Sequence, residues 1–522
     1  MKKRIKEAHK MNETNPTGAA DQTQNTAQST PQPKAPAIKP VYEADARERV
    51  LLLLALGLGI YAADLLLSLG QNWLGLGIPV GIAAWYAVFF WYVGPKKLLQ
   101  SRTWLLFGSI VLLSLTFVIF SNGWFRFWNI GFLLVLLTVH AFQISEAGRK
   151  PWTAPSMLWE RFRLLMDGLF GRLGAIGAAF KGFTGPAAHR SLTIGVGLLI
   201  TTPLLLLAAV LLSEADMVFK WLIADLLDAI WDHFDVALVR VLLGLMAAPF
   251  LFSLLYALGR PKSLPEGKAV SLPKLDGAEA VMVLGGLDAL YLFFVGIQAR
   301  ALFGGEDYLA QMGISYADYA RSGFFQLVFV AMLNLGVVLA LLQFTNREGG
   351  AWKAVRALAT LLAVLSGVIL VSAAWRMTLY VLAYGLSFKR ALTYWGMGMI
   401  ALLLAAACVK VWREHFGFFR FAAVAALAGW LVLNYANVDR IVVEYNVSAY
   451  QTGSLEDIDL YYLSGLSYEA LPALEKLSGD MSLSYWDDRT LASQLAERKQ
   501  QAAWECECWE NWSLPAWLWG RK

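Results

Sequence analysis

"VLLLLALGLGIYAADLLLSLG", Val50 to Gly70, holds a single charged residue, Asp64, in its 21 positions. A helix rises about 1.5 Å per residue, so such a run is long enough to cross about 30 Å of hydrocarbon. Ten further runs of similar length follow, at roughly 73–93, 103–121, 125–145, 191–213, 235–258, 279–299, 323–344, 355–375, 391–411 and 417–436. Lipid offers no partner to a backbone N–H or C=O, so each run is expected to be a helix. The predicted fold is therefore all-α, a polytopic transmembrane bundle of about eleven spans with a small helical extramembrane domain at the C-terminus. Bulk composition agrees: 57% of the 522 residues are hydrophobic, only 16% are charged, and the mean hydropathy is +0.51. Soluble chains of this size are far more charged.

The stretches between the runs divide the chain further. Residues 1–45 are rich in Asn, Thr, Gln and Pro and read as a disordered cytoplasmic arm; the basic start "MKKRIKEAHK" has no apolar region behind it, unlike a cleaved signal peptide. Residues 50–145 hold the first four spans, 146–190 a cytoplasmic loop, 191–436 seven more spans, and 437–522 a helical tail. Within the loop, "PSMLWERFRLLMDGLFGRLGAIGAAF" (Pro155 to Phe180) places Leu158, Phe162, Leu165, Leu169, Leu173 and Ile176 at helical spacing. Arg161, Arg163 and Arg172 lie between them, a pattern expected to rest on an anionic leaflet. A second interfacial helix is expected around Asp225, Asp228, Asp232 and Asp235, which share one face and read as solvated rather than metal-binding.

Loop charge predicts orientation. One set of alternate segments, with its helix ends, carries twenty Lys and Arg and the other seven. The excess belongs on the cytoplasmic side, which puts the N-terminus in the cytoplasm of a cell-membrane protein and, with an odd span count, the tail outside. A net charge of +5 spread along the chain gives nucleic acid no footing as a partner. The expected partners are the lipid bilayer and, on the outer side, an envelope protein or anionic ligand. Three cysteines and five scattered histidines show neither a disulfide framework nor metal-ligand spacing, and no cofactor is expected.

Four separated motifs, in order, resemble a known family: "LDALYLFFVGIQARALFGG" (Leu287 to Gly305), "GISYADYARSGFFQLVFVAMLNL" (Gly313 to Leu335), "RMTLYVLAYGLSFKR" (Arg376 to Arg390), and "NVDRIVVEYNVSAYQTG" leading to "DLYYLSGLSYEALPAL" (Asn437 to Leu474). The chain from about Ser191 to Leu474 resembles a bacterial membrane family known as domain of unknown function 4173. The resemblance implies a multi-pass bacterial membrane protein and no established activity. That family has Asn more often at the position of Asp288.

Candidate residues fall in two groups. Tyr316, Asp318, Tyr319 and Arg321 precede one span, and Arg376, Tyr380, Tyr384 and Arg390 end another on the same side. Together they are a candidate site for an anionic ligand or partner, although a helix cap and an aromatic belt account for most of them. Inside the spans, an acid or base costs about 2.5–3.5 kcal/mol at the bilayer centre on insertion scales, so Asp64, Arg240 and Asp288 stand out. Asp64 and Arg240 have similar depth and are candidates to pair; Asp288 has Tyr291 one turn away and is a candidate coupling acid. No phosphate loop, H-E-x-x-H, G-x-S-x-G or paired C-x-x-C occurs, which favours a non-enzymatic sensor or scaffold of the cell envelope. Two alternatives stay open: a secondary transporter working through Asp288, and a membrane enzyme acting on lipid-linked substrates.

Overall fold

The structure is a computed structural model that describes residues 45–69, 74–95, 103–146, 150–154, 156–180, 211–233, 236–261, 274–303, 324–347, 349–477 and 490–521, with isolated positions between 201 and 209. The helices in chain order are α1 (Ala46–Leu69), α2 (Gly77–Val93), α3 (Trp104–Ile119), α4 (Gly123–Ile144), α5 (Met157–Phe170), α6 (Gly174–Phe180), α7 (Met217–His233), α8 (Val236–Gly259) and α9 (Gly277–Phe303). They continue with α10 (Phe324–Phe344), α11 (Ala351–Tyr384), α12 (Phe388–Trp412), α13 (Phe418–Tyr435), α14 (Val438–Gln451), α15 (Leu460–Ser464), α16 (Leu471–Leu474), α17 (Leu491–Glu505) and α18 (Leu514–Gly520). No strand occurs among the described residues. One isolated bridge, Leu275 with Thr345, ties the start of α9 to the end of α10.

The protein is an all-α helical bundle. Among the described residues, α1, α4 and α8 to α13 are long and apolar enough to cross a membrane, and α2 and α3 are shorter apolar helices. The remaining run, 191–213, lies mostly outside the described residues.

Two packing devices hold the bundle. Where α1 crosses α8, a Cβ on Gly59 would lie 2.6 Å from the Gly244 carbonyl oxygen, and one on Gly244 would strike Ile60 at 2.5 Å. Only glycine admits so close an approach, and in lipid such approach is what drives helix association. Elsewhere α11 is the hub, packing against α9, α10 and α12. Its 34 residues extend well past the twenty-one of the apolar run 355–375. Arg376, Tyr380 and Tyr384 are therefore the last turns of this helix rather than a loop.

At one end of the bundle, the buried Glu48 accepts hydrogen bonds from the Tyr92 hydroxyl (3.1 Å) and Arg260 Nη2 (2.9 Å), joining α1, α2 and α8. Along α5 and α6 the expected interfacial face is only partly present. Leu158 and Phe162 are exposed, but Leu173 and Ile176 are buried in the protein. Arg161 is also buried, donating from Nη2 to Gln143 Oε1 and the Lys150 carbonyl, each at 2.9 Å. Its charge organises the loop instead of meeting headgroups, which corrects its expected place beside a leaflet.

The opposite end of the bundle carries the tail. Its last residues return to the α1–α2 connection, where Gly75 and Gly77 donate to the Glu510 carbonyl (2.8 and 3.0 Å) and Leu76 to that of Trp512 (2.9 Å). A core of Val442, Val443, Leu463, Leu471, Leu474, Leu495 and Trp519 joins α14 to α18.

Candidate functional site

Four separated stretches meet beneath the tail around a cleft of about 590 Å³. The α3–α4 turn supplies Ser121, Asn122 and Trp124; the α11–α12 turn supplies Ser387, Phe388 and Lys389; the tail adds Asp439, Ser467 and Tyr468, then Arg498 and Glu505 from α17.

Each piece is fixed by local chemistry. Asn122 is the N-cap of α4, its Oδ1 accepting from the Phe125 N–H at 2.9 Å. Its Nδ2 then reaches Asp439 Oδ2 at 2.7 Å, so the cap also tethers the tail. Asp439 follows Asn437, an N-cap with φ +50°. Asn tolerates that left-handed conformation better than most residues, and its side chain caps the first turn of α14. Ser467 N–H donates to the same Asp439 oxygen at 3.1 Å.

Glu469 receives Ser121 Oγ at 2.6 Å and its N–H at 3.2 Å. Loss of water raises the Glu469 carboxyl above the usual range, an effect that these hydrogen bonds resist and nearby Asp439 reinforces. Tyr468 donates to Glu505 Oε1 at 2.7 Å, and burial with that acid pushes its phenol up. The Arg498 guanidinium lies 4.6 Å from the centre of the Tyr468 ring.

The α11–α12 turn is docked from the tail side. Gly385, at φ +73°, lets the chain pass so close to Asn446 that a Cβ would collide with the amide. Asn446 uses both ends of that amide, accepting from Leu386 N–H (3.0 Å) and donating to its carbonyl (2.7 Å). Phe388 N–H donates to the Tyr462 hydroxyl at 2.7 Å. Two of the sequence motifs, "RMTLYVLAYGLSFKR" and the start of the tail, thus meet at this joint.

Three residues lining the cleft each carry a buried polar atom with no hydrogen-bond partner among the described residues: Asp439 Oδ1, Ser467 Oγ and Arg498 Nε. Asp439 and Ser467 are buried, so the missing partners matter. The arrangement presents both signs of charge, hydroxyls and aromatic faces next to the ends of long apolar helices. It can hold a polar molecule; among the described residues no group of three or more His, Cys, Asp and Glu is placed to hold a metal.

The sequence-derived candidates are distributed differently. Tyr316, Asp318, Tyr319 and Arg321 lie outside the described residues. Arg376 is buried within α11. Arg390 lies 4.1 Å from the centre of the Tyr380 ring and donates to the carbonyls of Tyr384, at 3.0 Å, and Gly385. It is a cation closing the C-terminal end of a helix. Tyr384 and Arg390 line a separate cavity of about 270 Å³ with Asp457 and Asp459. Arg240 Nε lies 2.7 Å from Asp64 Oδ1. Asp288 is only 2% exposed and Tyr291, one turn on, is half-buried. Asp225 is exposed, while the side chains of Asp228, Asp232 and Asp235 fall outside the described residues. Sequence reasoning missed Asn122, Asp439, Ser467 and Glu469, whose signal was polarity at turns on either side of apolar runs.

The family model for a domain of unknown function, DUF4153, matches residues 107–477, from within α3 to just past α16. It corrects the resemblance drawn from the four motifs, which pointed to the family numbered 4173 and to a start near Ser191. No curated protein and no solved structure matches the chain. With well over half of its length inside the matched region, this multi-pass membrane protein belongs to the DUF4153 family of unknown function.

Proposed function

We propose that the protein is a non-enzymatic sensor or scaffold of the cell membrane whose tail-side cleft takes a zwitterionic ligand, a lipid headgroup or a like solute. The observation that carries this reading is the unpartnered Asp439 Oδ1, buried in a cleft that also holds Lys389 and Arg498. A ligand ammonium would satisfy the acid, a phosphate or carboxylate the two bases, and Trp124 would offer its face at the lipid boundary. In this reading the tail lies outside the cytoplasm and the arm at 1–45 inside, as the bias of Lys and Arg favours.

The test is thermal unfolding of the full chain in nanodiscs of phosphatidylethanolamine, phosphatidylglycerol or a neutral glycolipid. The expected result is highest stability in the zwitterionic lipid, lost in Asp439→Asn and in Lys389→Ala. Equal melting of wild type and both variants in all three would sink the reading. Thiol labelling of Cys508 in intact cells tests the orientation; Cys508 is exposed, so labelling only after permeabilisation would place the tail inside.

A second reading, an enzyme on lipid-linked substrates, draws on the same ring of acids and arginines. It predicts turnover of the bound lipid where the first predicts retention.

A further inference from the structure

The stripe Ala280, Leu284, Asp288 of α9 is buried at intervals of four, so Asp288 points into the protein and away from lipid. Its depth follows from register. Gly277 packs against Ala351, and Ser372 hydrogen-bonds Gln298; both pairs are separated by 74 residues, so α9 and α11 run side by side in register. Asp288 is then level with Leu362, near the middle of both spans. One turn further along α11, Ser366 donates to the Leu362 carbonyl at 2.7 Å and accepts from Asn334 Nδ2 of α10 at 2.9 Å. Three helices thus bring polar groups to adjacent levels of an otherwise apolar core.

The hydrogen bonds there do not balance. Asp288 Oδ1, Asp288 Oδ2 and Asn334 Oδ1 are all buried without a partner among the described residues. All three are acceptors. No buried side-chain donor described on α9, α10 or residues 357–375 of α11 lacks a partner, and the titratable groups of the surrounding core include Tyr291, one turn along α9, and Cys408 of α12. Tyr291 is the only titratable neighbour on α9 within one turn, and neither α10 nor residues 357–375 of α11 carry any. The nearest base on α11, Arg356, lies against the Trp412 ring at 5.3 Å.

From this one-sided deficit we infer that Asp288 and Asn334 form an intramembrane site for a small monovalent cation, carried as a proton on the carboxyl or as Na⁺ between the oxygens. A carboxylate in this setting is stable only with a positive charge supplied. The site is separate from the tail-side cleft, and neither reading depends on the other. It is what a cation-coupled carrier would need, although ion binding alone is the claim.

The test uses the full chain in phosphatidylcholine liposomes. Infrared difference spectra are compared between wild type and Asp288→Asn, across pH, in NaCl and in choline chloride, with ²²Na⁺ binding measured alongside. A protonated-carboxyl band in wild type, absent from Asp288→Asn and indifferent to Na⁺, identifies the proton as occupant. A band present in choline and removed by NaCl, with ²²Na⁺ bound, identifies Na⁺. Asn334→Ala, which keeps the carboxyl, is expected to shift the band or weaken Na⁺ binding about tenfold through its lost ligand. Wild type with no such band and no ²²Na⁺ binding above Asp288→Asn overturns the inference.

Discussion

Two buried polar clusters sit in the same bundle and are built to opposite rules. Between α3, α4 and α13, Asn129 donates to Asn434 Oδ1 (2.6 Å) and Thr116 Oγ1 (3.1 Å) and accepts from Trp430 Nε1 (2.9 Å). Asn434 returns its own amide to the Trp430 carbonyl at 2.9 Å. Every amide group there has a partner. Between α9, α10 and α11, the Asp288 and Asn334 oxygens have none. A saturated network is glue, because it fixes which helices touch and in what register. A network short of donors cannot serve that purpose, and its cost is justified only by what completes it.

The contrast is sharpest under mutation. Asn129→Leu should lose about 2–3 kcal/mol of stability, since it strands the Trp430 N–H and the Asn434 carbonyl together. Reversible unfolding in mixed micelles measures it. Asp288→Leu should do the reverse, holding or raising stability by about 1 kcal/mol, because it removes an acid without a described partner. A loss as large as that of Asn129→Leu would erase the distinction. Ser366→Ala should be milder, at about 0.5–1 kcal/mol, because it takes one donor-acceptor pair and leaves the acid in place.

The smallest effect concerns the cleft. The Glu469 pKa is raised in the folded protein, so the native state binds the proton more tightly than the unfolded chain does. Its stabilising contribution is therefore complete below the ordinary carboxylate range and is lost as pH rises through the elevated value. Glu469→Gln keeps an acceptor for Ser121 and should flatten that slope, read as melting temperature against pH. An unchanged slope would mean that another group sets it.

How much of this was legible follows from the same physics. The spans were legible because lipid forces about twenty apolar residues into one element, a constraint that acts locally. Asp288 stood out as an acid inside an apolar run, where hydrogen bonding to a neighbouring helix was its plainer reading and coupling the sharper one. The cleft was not. Asn122 reads as a cap, Asp439 as a first-turn acid and Ser467 as a turn residue, and only the fold brings positions 121, 388, 439 and 498 together. Arg161 misled for a related reason: its spacing suits a headgroup, but Gln143 and the Lys150 carbonyl, neither visible in that pattern, claim the guanidinium. Arg390 shows the converse, a residue marked by its motif whose work is to finish a helix.

The return of the tail to the α1–α2 connection has a consequence in time. Glu510 and Trp512 are synthesised after every long apolar helix described, yet they bond Gly75, Leu76 and Gly77 of the first hairpin. That hairpin must wait through synthesis of the whole bundle with those amides unclaimed. The clasp, and the cleft that α17 helps line just before it, can close only after the spans have been made. Assembly is thereby ordered, the spans first and the joint between the tail and the α1–α2 connection after them.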